Sequence, residues 1–234
     1  MNQGTSRTSR RPAWLWWSSG KDSAWALHTL RRGEAYEVTA LVTTVDRGSH
    51  RVAVHGVPDA VVAEHAAALG LPLVRVELPY PCPNVDYESA VQRLVQQAGD
   101  AGVGHMAFGD LFLEDIRDYR RGLFASTPVD AIFPVWGRDT AALARRMVDA
   151  GLRARIVSLD TRVLAPSMLG RDFDHRFLDE LPASVDPCGE NGEFHTVVLH
   201  APGFDRDLDL RAGGTARRGD FLTLEFELAG DSGV

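Results

Sequence analysis

The chain has 234 residues, of which 44% are hydrophobic and 24% charged, and its formal net charge is -7 at pH 7. That length can bury a sizeable core, and the composition excludes a disordered, fibrous or disulfide-stapled protein. The acidic balance removes the attraction on which non-specific nucleic-acid binding mostly depends, so nucleic acid is not an expected partner. Cys82 and Cys188 lie far apart and outside any CxxC spacing, which argues against a zinc ribbon and fits a reducing cytoplasm.

Residues 1–12 are polar and basic and read as a flexible tail; the apolar run after them is too short for a signal-peptide core. No segment approaches the roughly 20 apolar residues that span a bilayer, so a soluble cytoplasmic protein without a membrane partner is expected. From residue 13 short β-branched or aromatic runs alternate with longer segments of helical period. In order, the pattern predicts strand Ala13–Trp17, helix Asp22–Arg32, strand Val38–Thr44, helix Asp59–Leu69, strand Leu73–Leu78 and helix Tyr87–Ala101. It continues with strand Gly104–Phe108, helix Phe112–Phe124, strand Ala131–Phe133, helix Thr140–Ala150 and strand Ala154–Ser158.

This alternation implies βαβ crossovers, hence an α/β, doubly wound parallel sheet of Rossmann-like type over residues 13–160. Gly33, Gly70, Gly102 and Gly151 each follow a predicted helix, where a left-handed cap suits glycine. Beyond residue 160 the sequence becomes rich in Pro and Gly. A short helix near Phe173–Glu180 and strand-like runs at Phe194–Leu199, Leu208–Leu210 and Phe221–Leu228 predict a small α+β region over 161–234, placed on the substrate side. Its hairpin has an edge strand that would permit a homo-oligomer.

In such a sheet ligands bind at the carboxyl ends of the strands, and Ser18-Ser19-Gly20-Lys21-Asp22-Ser23 occupies the first strand-to-helix loop. Backbone N–H groups at a helix N-terminus, with three hydroxyls and an ammonium, suit a phosphate. A Walker A loop is excluded, because it needs glycine where Leu15 stands. The hexamer resembles the SGGxDS pyrophosphate loop of PP-loop ATP pyrophosphatases, with Ser19 where that family has its first glycine. Asp22 is the magnesium candidate of the loop; as a residue type it fits a helix N-cap equally well.

Further segments extend the resemblance: "RVAVHGVPDAVVAEHAAALGLPL", "FGDLFLEDIRDYR", "FPVWGRD", "MLGRDFD" and above all "VDPCGENGEFHTVVLHAPGF". From about Trp14 to Phe204 the chain is similar to short members of the diphthine–ammonia ligase family, adenine-nucleotide alpha hydrolase-like proteins. The resemblance implies that ATP, with magnesium, activates a carboxylate as an acyl-adenylate with release of pyrophosphate. Ammonia then displaces AMP and leaves an amide on a small-molecule or protein acceptor.

On the residues that match, Ser18, Ser19, Gly20, Lys21, Asp22 and Ser23 would cradle the ATP phosphates, and Thr43 and Thr44, which end the second strand, would lie beside the adenosine. His55 and Gly56 match the family's His-Gly pair, and Gly109 and Asp110 put a carboxylate at the crevice edge. Lys21 and Asp22 would stabilise charge on the leaving group. In the Cys188-to-Thr196 segment, a two-residue period would set Glu193 and His195 on one side, where Glu193 would position ammonia or accept its proton, with His195 assisting and Glu190 nearby. Arg138, Asn191 and Gly192 would contact the acceptor, an arginine being suited to a carboxylate. Cys188, a lone thiol, reads as structural. Two other readings compete: a tRNA-modifying PP-loop enzyme, which the lack of paired catalytic cysteines disfavours, and a non-catalytic ATP-binding regulatory module, which would need no GENGEFH constellation.

Overall fold

The structure is a computed structural model that describes residues 10–49, 51–52, 56–79 and 81–229. Six helices of α type and nine strands make two sheets among the described residues. The first sheet has the order β3-β2-β1-β4-β5, with β1 Arg11–Trp16, β2 Tyr36–Asp46, β3 Leu73–Leu78, β4 His105–Ala107 and β5 Asp130–Ile132. All its pairings are parallel. The chain crosses it through α1 Lys21–Arg32, α2 Asp59–Leu69, α3 Asn84–Asp100 and α4 Glu114–Phe124.

Hydrophobic alternation explains why both faces are covered. Leu15 and Leu41 enter one core with Leu27 and Leu30 of α1 and Val61 and Val62 of α2. Their neighbours Trp14 and Val42 enter a second core with Val91, Leu94 and Val95 of α3 and Phe124 at the end of α4. Successive side chains of a strand point to opposite faces, so a nearly continuous apolar run serves both layers. The doubly wound parallel sheet read from the sequence is therefore present. Its order reverses between β1 and β4, which opens the crevice where such sheets bind ligands.

One expected strand belongs elsewhere. β6, Arg153–Asp160, follows α5, Thr140–Asp149, but joins a second, antiparallel sheet of order β7-β6-β9-β8, with β7 Phe194–His200, β8 Leu210–Arg218 and β9 Phe221–Leu228. Its apolar run looks like another parallel strand because Ala154, Ile156, Val157 and Leu159 are all buried. Short α6, His175–Asp179, lies before β7, and the expected strand at Leu208–Leu210 is the start of the longer β8. No helix of the described residues is long and apolar enough to cross a membrane.

The second sheet packs on the α1/α2 side, since Val197, Val198 and Phe194 of β7 share the core of those helices. His65 of α2 clamps the layers: one ring nitrogen lies 3.4 Å from Trp17 Nε1, whose N–H donates to it, and the other donates to Val198 O at 2.7 Å. Complete burial depresses its pKa to about 4, so the imidazole that serves this clamp is neutral.

Helix ends follow the glycine expectation at Gly70, with φ 64°, and at Gly102 and Gly151, with φ 70° and 85°. Gly33 differs, with φ -75° and ψ 162°, because the chain leaves α1 in an extended path towards β2. The notable positive φ is elsewhere, at Ser19, φ 67°, the one non-glycine so placed among the described residues. Its side chain is buried and its hydroxyl has no hydrogen-bond partner. A left-handed L-residue costs about 1–2 kcal/mol, partly offset in a glycine variant by about 0.5–1 kcal/mol of extra chain entropy. Releasing the unpaired hydroxyl adds to the gain. Ser19→Gly is therefore expected to stabilise the protein by about 1 kcal/mol, raising the melting temperature by about 2–4 °C; calorimetry showing an unchanged or lowered value would refute the strain.

Candidate functional site

The loop between β1 and α1 stands at the sheet's reversal point and is held from both directions. Trp17 N–H donates to Val42 O of β2 at 2.6 Å, and Val198 N–H of β7 donates to Ser19 O at 2.9 Å. Gly20 is the residue preceding α1, and no side chain caps this helix. Asp22 therefore does not serve as the N-cap, the alternative its residue type allowed. The Gly20 and Lys21 amides are already engaged, by Ser18 Oγ at 3.3 Å and by Thr196 Oγ1 at 3.1 Å. Ser23 Oγ donates back to Gly20 O at 2.8 Å.

Lys21 is the unexpected member. Its side chain is 2% exposed, and its ammonium donates to Asp22 Oδ2 at 2.9 Å and to the Cys188 carbonyl. The rings of Phe173 and Phe194 lie 5.5 Å and 5.3 Å from the same nitrogen. Burial works to lower the lysine pKa, but the Asp22 carboxylate, with a smaller contribution from Glu190, outweighs it and holds the group protonated, above its ordinary value. The positive charge is thus a bolt between the loop and the C-terminal segment. The second oxygen of Asp22, Oδ1, is buried without a hydrogen-bond partner.

The Cys188-to-Thr196 segment closes the other wall. Asp186 Oδ2 accepts the amides of Cys188 at 3.1 Å and Glu190 at 2.9 Å, an Asx-type turn. Gly189 has φ 69°, and a Cβ there would stand 2.8 Å from Phe194 O, so only glycine fits. Together, Ser18, Gly20, Lys21 and Asp22 face Gly189, Glu190, Gly192, His195 and Thr196 across a cleft of about 130 Å³. That volume suits phosphate groups rather than a whole nucleotide.

Glu190 is the carboxylate of this cleft. Burial, assisted by the charges of Asp22 and Asp110, pushes its pKa up to about 7 despite the Leu111 N–H that donates to Oε1 at 2.7 Å. His195, also in the cleft, is pushed down to about 4 by burial and by Lys21, and is neutral at pH 7. Glu193 is placed differently from the expected pairing with His195. Its Oε1 accepts Asp186 N–H at 2.9 Å and Asn191 Nδ2–H at 3.0 Å, so both Glu193 and Asn191 brace the turn from behind the cleft. Cys188 donates its thiol proton to Thr140 O at 3.5 Å, and burial raises its pKa, which makes it a packing residue.

Other expected residues lie apart. Gly109 touches the site through backbone alone: a Cβ there would stand 2.9 Å from the Asp22 carbonyl carbon, so glycine lets the β4 loop meet the start of α1. Asp110 pairs with Arg120 at 2.8 Å. Thr43 and Thr44 are buried inside β2, which runs on to Asp46, and do not line the cleft. Gly56, φ 63°, accepts Arg51 Nη1–H at 2.7 Å in a loop away from the cleft, and His55 lies outside the described residues. Arg138 lines a separate cavity between α1 and α5. Sequence reasoning missed Asp186 and, while placing Thr196 in the C-terminal segment, gave it no role. An Asp-Pro ahead of Cys-Gly is a turn signal that points to the first; the second depends on a contact 175 residues away.

Among the described residues no group of three His, Cys, Asp or Glu could hold a metal ion by itself. The donor set here, one carboxylate oxygen without a partner, suits a magnesium ion that takes its remaining ligands from phosphate and water.

Raising a carboxyl's pKa means the folded protein holds its proton more tightly than the unfolded chain. Stability from Glu190 is therefore full below its ordinary value near 4.5 and falls as pH rises towards about 7. Glu190→Gln keeps an acceptor for Leu111 N–H and removes the buried charge. It is expected to stabilise the protein by about 1–2 kcal/mol at pH 8 and to match the wild type near pH 5. Equal melting temperatures at both pH values would show that Glu190 is ionised at no cost.

Comparison with known proteins agrees with this geometry. A family model described as the diphthamide synthase N-terminal domain matches residues 11–121, and one described as the diphthamide synthase C-terminal domain matches residues 139–222. A diphthine–ammonia ligase of Danio rerio is 27% identical over 170 residues, which cover 66% of this chain and 67% of that protein.

Proposed function

The chain belongs to the diphthamide synthase family, the diphthine–ammonia ligases, and we propose that it activates a carboxylate with ATP, releasing pyrophosphate, and amidates it with ammonia. The observation that carries this reading is the cleft in which the strand-to-helix loop at residues 18–22 faces a carboxyl with pKa about 7. A ligase needs both halves; a nucleotide-binding module needs only the first.

ATP supplies the leaving group. Its phosphates would enter beside Ser18, Gly20 and Asp22, with the adenosine outside the small cleft towards the crevice between β1 and β4. Asp22 Oδ1 would hold the magnesium ion, which spreads the charge that develops on pyrophosphate. The Lys21 ammonium, bound to Asp22 and Cys188, would act chiefly by fixing Asp22. Glu190 would take the proton that ammonium must lose before nitrogen can attack, and a value near 7 divides that carboxyl between acid and base at neutral pH. Neutral His195 would accept a hydrogen bond from the same ammonia. The protonated, buried thiol of Cys188 weighs against sulfur transfer to tRNA.

The acceptor that the relative's name suggests is diphthine. Purified protein with ATP, magnesium, ammonium and a diphthine-bearing acceptor should yield AMP and pyrophosphate in equal amounts, with the acid converted to the amide by mass spectrometry. Asp22→Ala should lower pyrophosphate release by about 10²–10³-fold with the fold intact. The wild-type rate should rise with pH through about 7, and Glu190→Gln should lose that limb. Formation of ADP and phosphate, or wild-type turnover in Asp22→Ala, would overturn the proposal.

A further inference from the structure

A second cavity of about 390 Å³ lies further along α1, towards its C-terminal end, and no residue that lines it also lines the first cleft. Trp25, His28, Thr29 and Arg32 form one wall, at the i, i+3, i+4, i+7 spacing of a single helical face. Leu143, Arg146 and Ala150 of α5 and its C-terminal edge form the other, and Val135 and Arg138 close the end from the loop after β5.

The charge here is one-sided. The guanidiniums of Arg32, Arg138 and Arg146 make no ion pair or hydrogen bond among the described residues. Nearby carboxylates are occupied: Asp139 caps α5 by accepting Ala142 N–H at 2.8 Å, and Asp149 pairs with His175 at 2.9 Å. Arg32 and Arg146 sit in the last turns of their helices, where a cation also compensates the helix dipole, but Arg138 is in a loop and has no such role. The floor differs in character. Trp25, Val135 and Leu143 are buried apolar residues, and the ring of half-buried His28 lies on Trp25 with centroids 4.6 Å apart.

We infer that this cavity binds a small organic anion, its doubly charged oxyanion head held by Arg32, Arg138 and Arg146 and its apolar or planar body resting on Trp25, Val135 and Leu143. Three guanidiniums around one opening match the fork geometry that binds phosphate and carboxylate groups. The volume lies in the range of small-molecule sites and exceeds what an inorganic ion fills. The inference uses none of the cleft residues on which the ligase reading rests; Arg138, expected from the sequence to meet the acceptor, lines this second cavity instead.

His28 supplies a local reporter. Phenyl phosphate, titrated at constant ionic strength against chloride, should shift the His28 ring resonances saturably, with a Kd below about 1 mM. Phthalate, carrying carboxylates on the same ring, separates a phosphate head from a carboxylate head, and saturation by either supports the site. Inorganic phosphate should bind at least about tenfold more weakly, since it leaves the floor uncovered. The exposed double variant R138A/R146A should weaken phenyl phosphate by at least about tenfold, and R138A alone, a loop change, gives the same direction should the double variant fold poorly. A linear shift indistinguishable from chloride, undiminished binding in the variants, or equal affinity for inorganic phosphate would overturn the inference.

Discussion

The buried Lys21 ammonium is the constraint around which the rest of the molecule is arranged. An ammonium with 2% of its side chain exposed survives only if its protons are satisfied, and they are shared between Asp22 and the Cys188 carbonyl under two phenylalanine rings. One partner is its neighbour in the first helical turn, and the other is 167 residues away. The charge therefore fastens the start of α1 to the turn before β7. Breaking a buried pair of this kind leaves an uncompensated charge, a loss of about 3–5 kcal/mol, so the two regions cannot separate cheaply.

Once that bolt is in place, the electrostatics of the cleft follow. Its negative neighbours are crowded into one small space, and Glu190 responds as a half-buried carboxyl beside Asp22 and Asp110 must, by holding its proton to about pH 7. The same ammonium helps keep His195 neutral. An ammonium, a neutral imidazole and a carboxyl near its midpoint thus stand within one cleft without any of them being unusual chemically; their separation in protonation comes from burial and from the charges of Lys21 and Asp22.

Local features were the legible ones. The parallel sheet follows from alternating strand and helix periods, and the place of the polar Gly-Lys turn between the first strand and the first helix follows from the same alternation. The sheet to which β6 belongs was not legible, because strand periodicity records burial on both faces and not the direction of the partner strand. Glu190 and Glu193 were both visible as carboxylates in a glycine-bent segment, but their division of labour was not. The Asx turn around Asp186 brings the amides of Cys188 and Glu190 together and directs Glu193 towards Asp186 and Asn191, and such bonds have no period to read. Arg138 was legible as a cation in a strand-end loop, yet which of two cavities it lines depends on how α5 returns against α1.

Ser19 joins these levels. Serine in a left-handed conformation is a local conflict, and such strain persists only where the surroundings over-determine the path. Here they do so at three points. Trp17 is tied to β2, the Ser19 carbonyl to β7, and the amide of Lys21 to Thr196. The turn is imposed by the parallel sheet on one flank and the antiparallel sheet on the other, so the residue at position 19 sets the energy of the loop and not its course. A loop defined by tertiary ties rather than by its own glycine can carry serine at position 19 and still present the N-terminus of α1 to the cleft.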